Sequence, residues 1–454
     1  MPGARTATHV PTTTHRPRAA RVLLALSALV FGGAVLGLAA EVAWVASWFY
    51  TLSWWSYVLA VDALVHLRRG ESPFLSRPRA ALLLSLWSAA FWLFYEAANF
   101  RLQNWYYVGV PKDWFARGPG VVLSFATVLP GVLGTYQLLA SFGFAGRARS
   151  RPFVLAPGAL ALLRLAGLAC LVLPLAFPRA CYPLIWGATA LLAEPWLASR
   201  GERGLLSRLA AGDPRPVLRL LAAGLACGLL WEALNADAHA KWIYTVPFFE
   251  ETKLFEMPLA GFLGFPPFAL ECYAFARALV VLGLLPEWEL GVPARAGRPR
   301  RELAGAALAL AASVPVVLGV NRWTLRATRP EVDEVAGIDA GAAARLRAQG
   351  IATADELLRA RERGALGGLE RELGPERLAR ALEHARLMDL RGLGAPGARW
   401  LEAAGVGSVE QLARADEREL LERFEAARAR VELPPPRPAE VRVWLRAARE
   451  QADR

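Results

Sequence analysis

Apolar runs long enough for a membrane-crossing helix recur along this chain, separated by short polar breaks, until about residue 322. They fall near 22–40, 48–66, 80–98, 119–140, 156–177, 182–198, 216–234, 257–285 and 302–320, and so predict nine spans. From residue 331 the pattern changes to short, charged segments rich in Ala, Leu, Arg and Glu, which predict a soluble helical region over 331–454. The expected fold class is all-α: a polytopic transmembrane bundle with a C-terminal soluble domain. Residues 1–20 are polar, with Pro, Thr and Arg, and are expected to be disordered. The apolar run after Arg21 exceeds a signal-peptide core and is expected to be retained as the first span.

The polar breaks set the expected topology. Arginine-rich loops lie at Arg16 to Arg21, Arg68 to Arg79, Arg147 to Arg151, Arg200 to Arg219 and Arg295 to Arg301, after every second span. The positive-inside rule puts these loops and the N-terminus in the cytoplasm of a cell with this protein in its inner membrane. Nine spans then leave the C-terminal region outside. Composition agrees, with 55% hydrophobic residues and a mean hydropathy of +0.30. The net charge of +12 is unevenly spread, since residues 331–454 hold 21 Arg against 23 Asp and Glu. The first 330 residues hold 31 basic and 17 acidic residues. That excess is a topogenic signal and not a nucleic-acid footprint. Cys170, Cys181, Cys227 and Cys272 lie in or beside apolar segments without ligand-like spacing, so neither a disulfide framework nor a zinc site is expected.

The first eight spans read as a duplication, with units at 21–145 and 155–287 and a ninth span at 302–322. Trp55, Arg69, Gly70, Leu75 and Arg77 recur as Trp186, Arg200, Gly201, Leu206 and Arg208 at an offset of 131. Trp105, Tyr107, Phe125, Pro130 and Tyr136 recur as Trp242, Tyr244, Phe262, Pro267 and Tyr273 at an offset of 137. Between these runs, Glu96 and Asn99 match Glu232 and Asn235. Four helices per unit is an even number, so two units in one orientation, related by an axis along the membrane normal, are expected.

Candidate chemistry concentrates around Trp231 to Tyr273. Glu232 and Asn235 lie three apart and share a helix face, as do Glu96 and Asn99. Carboxylates in apolar sequence are expensive and mark functional sites. Pro258, Pro266 and Pro267, with Gly261 and Gly264, break the start of the eighth span, and Glu271 follows one turn after Pro267. Such irregular backbone is tolerated at membrane depth where it is buried or lines a cavity. The expected acid/base pair is Glu232 and Glu271, with Glu256 and Asn235 orienting; Glu96, Asn99, Trp105, Tyr107, Trp242, Tyr244, Pro266 and Pro267 are the expected ligand contacts. The structural alternative makes the aromatics an interfacial belt. Asp237 and His239 lie nearby, but without paired histidine spacing no metal site is expected, and no cofactor fingerprint is present.

In the C-terminal region Gly337, Ile338, Leu346, Gly350, Ile351 and Thr353 recur as Gly392, Leu393, Leu401, Gly405, Val406 and Ser408 at an offset of 55. This pattern resembles a tandem helix-hairpin-helix domain, of a bacterial family of unknown function, over about the last 120 residues. The resemblance would allow phosphate contacts through the glycine turns. Asp339, a net negative charge and an outside location argue for a protein partner instead of nucleic acid. The membrane part is similar to uncharacterised bacterial polytopic proteins sharing Phe255-Glu256-Met257-Pro258 and Gly264-Phe265-Pro266-Pro267-Phe268. Through Glu232, Trp242-Ile243-Tyr244 and Glu256-Met257-Pro258 it also distantly resembles lycopene cyclase-type carotenoid proteins. It departs from them in having four helices per unit and no Pro-x-Glu-Glu order. These likenesses imply a lipid-like or isoprenoid ligand within the membrane; a transporter or proton relay, or a non-catalytic scaffold, are the alternatives.

Overall fold

The computed structural model describes residues 17–247, 252–293 and 298–452, and it is helical almost throughout. The main elements up to residue 319 are α1 (Pro17–Ala39), α2 (Ala43–Arg69), α3 (Pro78–Leu102), β1 (Trp105–Val108), α4 (Trp114–Phe125), α5 (Val128–Ser141), α6 (Pro157–Ala176), α7 (Ala188–Ser199), α8 (Arg215–Asp237), β2 (Lys241–Tyr244), α9 (Phe265–Leu282) and α10 (Pro299–Gly319). Helix α1 already begins at Pro17, where a proline without an N–H fits the first helical turn. The rest of the expected disordered segment, residues 1–16, lies outside the described residues.

Among the described residues, seven helical stretches are long and apolar enough to cross a membrane: Pro17–Ala39, Pro78–Leu102, Trp114–Ser141, Pro157–Ala176, Arg215–Asp237, Leu259–Leu282 and Pro299–Thr324. They fall on seven of the nine windows read from the sequence. The other two differ for local reasons. Helix α2 has 27 residues but carries Ser53, Ser56, Asp62 and His66, which dilute its apolar character. The sixth window splits into a 3-10 segment at Tyr182–Gly187 and the 12-residue α7, preceded by a single helical turn at Pro178–Cys181. Pro178 and Pro183 each remove a backbone donor there, so one continuous helix cannot form.

The packing pairs of the first unit recur in the second. Helix α1 packs on α2, α2 on α5 and α3 on α5; correspondingly α6 packs on α7, α7 on α9 and α8 on α9. Helix α5 also meets α8 and α9, joining the two sets. Strands β1 and β2 follow directly from α3 and α8 and pair antiparallel, with Trp105 opposite Tyr244, Tyr106 opposite Ile243 and Tyr107 opposite Trp242. A half-turn about the Tyr106–Ile243 pair exchanges the two repeat motifs. Both α3 and α8 therefore run toward this ribbon.

The opposite end is closed by the loop after α9. Tyr136 and Tyr273, repeat counterparts, each donate to a different oxygen of Glu289 at 2.9 Å. The equally matched Arg77 and Arg208 also hold this loop, Arg77 through the Glu289 carbonyl at 3.2 Å and Arg208 through its carboxylate at 3.3 Å. Beside them Arg277 makes a two-bond pair with Glu287 at 2.8 and 2.7 Å, both side chains buried. Arg277→Met would leave Glu287 as a buried, uncompensated charge, and should destabilise the protein by about 3–5 kcal/mol. Thermal unfolding in detergent reads this directly, and an unchanged midpoint would show that the pair is not structural.

After α10 the chain returns to the ribbon, where the Arg326 N–H donates to the Tyr107 carbonyl and the Gly109 N–H to the Ala327 carbonyl. The C-terminal domain begins there, so it sits on the ribbon end, away from the arginine-rich loops. Its core takes in Tyr106, Val108 and Ile243 from the ribbon. The two motif copies share their turn geometry, with Gly337 at φ 88°, Gly392 at φ 80°, Gly350 at φ 79° and Gly405 at φ 77°. Thr353 forms a capping box with Glu356, and Ser408 accepts from the Gln411 N–H, so each copy starts its second helix with a hydroxyl cap.

Candidate functional site

Alternation along the ribbon gives its two faces different tasks. Trp105, Tyr107, Trp242 and Tyr244 face a cavity of about 650 Å³ that reaches between the two units. Tyr106 and Ile243 face the other way, into the C-terminal domain. One thin element is thus at once the cavity's ceiling and the domain's floor.

The glutamate–asparagine pairs hold this ceiling. Asn99 Nδ2 donates to the Trp105 carbonyl at 3.0 Å while its Oδ1 accepts from the Asn104 N–H at 2.8 Å. Asn235 does the same for Trp242, donating to its carbonyl at 2.9 Å and accepting from its N–H at 3.0 Å. Glu96 and Glu232, both fully buried, accept from the hydroxyls of Tyr107 at 2.6 Å and Tyr244 at 2.9 Å. Both carboxylates stand behind the wall, with their tyrosines lining it. Burial, and next the adjacent carboxylate, push the Tyr107 and Tyr244 hydroxyls well above their ordinary range, so both remain protonated donors.

The copies are not equivalent. Glu96 Oε1 also accepts from Trp92 Nε1 at 2.9 Å and Trp105 Nε1 at 3.0 Å, so three donors converge on one oxygen. The position matching Trp92 is Gly228, where a Cβ would lie 2.2 Å from the Phe265 ring. Among the described residues Trp242 Nε1 makes no hydrogen bond of ordinary geometry, unlike its counterpart Trp105. Glu232 therefore has fewer donors to hold a charge, which makes it the more adaptable carboxylate.

Glu271 has a different setting. It accepts from the Tyr95 hydroxyl and from the N–H groups of Thr189 at 3.1 Å and Ala190 at 3.4 Å. Those amides open α7, so Glu271 caps the helix left by the broken sixth window. The break in turn lets Trp186 stack on Tyr95 at 4.7 Å and line the cavity. In the first unit α2 is unbroken, and the position matching Glu271 is Gly134, packed against Val61. No hydrogen bond joins Glu271 to Glu232 among the described residues; the structure does not bring this expected pair onto a shared partner. Pro266 and Pro267 occupy the first turn of α9, where a missing N–H costs little, and Pro267 lines the cavity. The irregular segment precedes them as a 3-10 turn, Leu259–Gly264.

Glu256 leaves the cavity altogether. It pairs with Arg391 of the C-terminal domain and lies 3.9 Å from Lys241 Nζ. Arg359 with Glu41 at 2.7 Å and Lys112 with Glu331 at 3.5 Å add further contacts between the apolar helical part and the chain beyond it. Sequence reasoning missed Trp92, Tyr95 and Arg391. Trp92 was accessible, since it precedes Glu96 by four residues and so shares its helix face; nothing in the local sequence marks Arg391. His239 lies in this interface, where burial and then Arg329 lower its pKa. Among the described residues no group of three His, Cys, Asp or Glu side chains is placed to hold a metal ion.

Residues 336–451 match the model of a domain of unknown function, DUF4332. The match covers the C-terminal domain and leaves the membrane part outside it. No curated protein matches the chain, and no solved structure does. The DUF4332 region is the part that packs on Tyr106 and Ile243.

Proposed function

We propose that the chain is a polytopic inner-membrane protein that binds, and through the Glu232–Tyr244 pair modifies, a lipid-like or isoprenoid ligand in the cavity under the ribbon. The observation that carries this reading is the cavity wall. It is aromatic and aliphatic over most of its surface, and its ceiling presents two tyrosine hydroxyls backed by buried glutamates. Apolar cavities with a few placed polar groups are the usual form of small-ligand sites. An ion relay would instead need a continuous polar path, and Glu96 and Glu232 stand behind aromatic side chains. Asn99 and Asn235 position the ceiling, and Glu256 anchors the C-terminal domain.

The test is mass spectrometry of lipids that copurify with the protein, together with lipid and pigment profiles of cells lacking it. One enriched species, absent or accumulated in the deletion, is expected. Copurifying lipids that mirror the bulk membrane would remove the specific-ligand reading.

The proposed topology puts the ribbon and the C-terminal domain outside the cytoplasm. An alkaline phosphatase fused after Arg454 should be active and a green fluorescent fusion dark. The reverse result would place the cavity's ceiling on the cytoplasmic side.

A further inference from the structure

We propose that the cavity's ligand is a neutral isoprenoid with a flat, oxygen-bearing ring of the quinone class, seated between the Tyr107–Glu96 and Tyr244–Glu232 pairs. This rests on the lipid-site reading above and narrows it. Charge gives the first argument. Arg117 and Lys241 are the charged side chains lining the cavity among the described residues. The Arg117 guanidinium is committed to Asn321 Oδ1 at 3.0 Å and to the carbonyls of Pro111 at 2.7 Å and Lys112 at 2.6 Å. Lys241 donates to the Ala236 carbonyl at 2.6 Å and faces Glu256. An anionic headgroup would find both cations engaged and two carboxylates behind the wall, so the site selects against phosphate.

The second argument is donor balance. Two hydroxyls stand at the ceiling, those of Tyr107 and Tyr244, each donating to its glutamate. A ligand oxygen can accept from either hydroxyl once that hydroxyl is released from its glutamate. When a glutamate carries a proton it can donate to its tyrosine oxygen, freeing the tyrosine O–H to turn toward the ligand, with no net change in protons. Geometry supplies the third argument. Tyr107 and Tyr244 are diagonal neighbours on the ribbon, roughly 7–8 Å apart at the backbone. They are related by the ribbon's half-turn, which suits a ligand whose two acceptors sit on opposite edges of one ring. Trp105 and Trp242 line the cavity beside the two tyrosines, and indole rings are suitable partners for a stacked ring.

The experiment uses the full chain in phosphatidylcholine nanodiscs, with tryptophan quenching and competition as readouts. Three probes are compared: a short-chain prenylated 1,4-quinone, squalene as an oxygen-free isoprenoid, and phosphatidylglycerol. The quinone should bind most tightly, and Tyr107→Phe with Tyr244→Phe together should weaken it about tenfold while leaving squalene competition unchanged. Wild-type selectivity among the probes needs no variant, so a poorly folding double mutant does not remove the test. Squalene binding as tightly as the quinone, or an unchanged quinone affinity in a folded double variant, would overturn ring-oxygen recognition and leave the lipid site standing. Preference for phosphatidylglycerol would overturn neutrality. Binding of none of the three would defeat the lipid reading itself.

Discussion

Gly392→Ala should loosen the C-terminal domain from the membrane part, whereas Gly337→Ala, at the matching turn of the other motif copy, should leave it docked. Both glycines have positive φ, 80° and 88°, so each substitution carries the same backbone strain of about 1–2 kcal/mol. Their surroundings differ. A Cβ on Gly392 would lie 2.5 Å from the Tyr106 hydroxyl oxygen, 3.0 Å from Ile243 Cδ1 and 3.2 Å from Val443 Cγ1. At Gly337 the nearest atom is Ala381 Cβ at 4.0 Å, an ordinary contact. Tyr106 and Ile243 are fully buried and cannot swing aside into solvent. Overpacking at Gly392 should therefore add roughly 1–3 kcal/mol beyond the shared strain. Trp444 Nε1 donates to the Gly392 carbonyl at 2.9 Å, and movement of the turn would cost that bond as well. Limited proteolysis of the linker near Leu325 to Glu331 checks the pair. Faster cleavage in Gly392→Ala alone is expected; equal rates in the two variants would mean the seat of the domain lies elsewhere.

Glu271→Ala should collapse the cavity wall, and Glu271→Gln should largely preserve it. Alanine leaves the Thr189 and Ala190 amides and the Tyr95 hydroxyl without their acceptor in a buried setting. An unsatisfied buried donor costs about 1–3 kcal/mol, so the combined loss is on the order of several kcal/mol. Helix α7 would then shift its first turn and carry Trp186 off Tyr95. Glutamine keeps an acceptor oxygen for the amides. A thermal-shift series with Trp fluorescence distinguishes the roles. Loss of stability in Ala with near-native behaviour in Gln fits a capping residue. A folded Glu271→Gln protein that has lost ligand turnover would return Glu271 to the acid role expected from its place in an apolar segment.

The recurring motifs were legible because they leave side-chain identity at nearly fixed offsets, and the long apolar helices because they announce themselves by length. An intermediate offset of 136, between the other two, pointed to Glu96, Asn99, Glu232 and Asn235 together. What they could not reveal was asymmetry. Trp92 against Gly228, and Gly134 against Glu271, look like scattered mismatches along the chain. In three dimensions each is a consequence of a neighbour, the Phe265 ring in one case and the start of α7 in the other.

By itself the sequence determined the all-α class, most of the apolar helices, and the helix faces that carry the glutamate–asparagine pairs. These follow from periodicity and composition, which depend on residues within a few turns of one another. The tertiary structure alone decided what each carboxylate does. Tyr95 and Glu271 are separated by 176 residues, and Arg391 and Glu256 by 135. A buried carboxylate must find donors somewhere, but local sequence carries no information about which distant element supplies them. Glu232 met a tyrosine of its own unit's strand, Glu271 met a helix start, and Glu256 met another domain. The ribbon that joins both units to the C-terminal domain was hidden for the same reason, since strand partners such as Tyr106 and Ile243, 137 residues apart, leave no local trace.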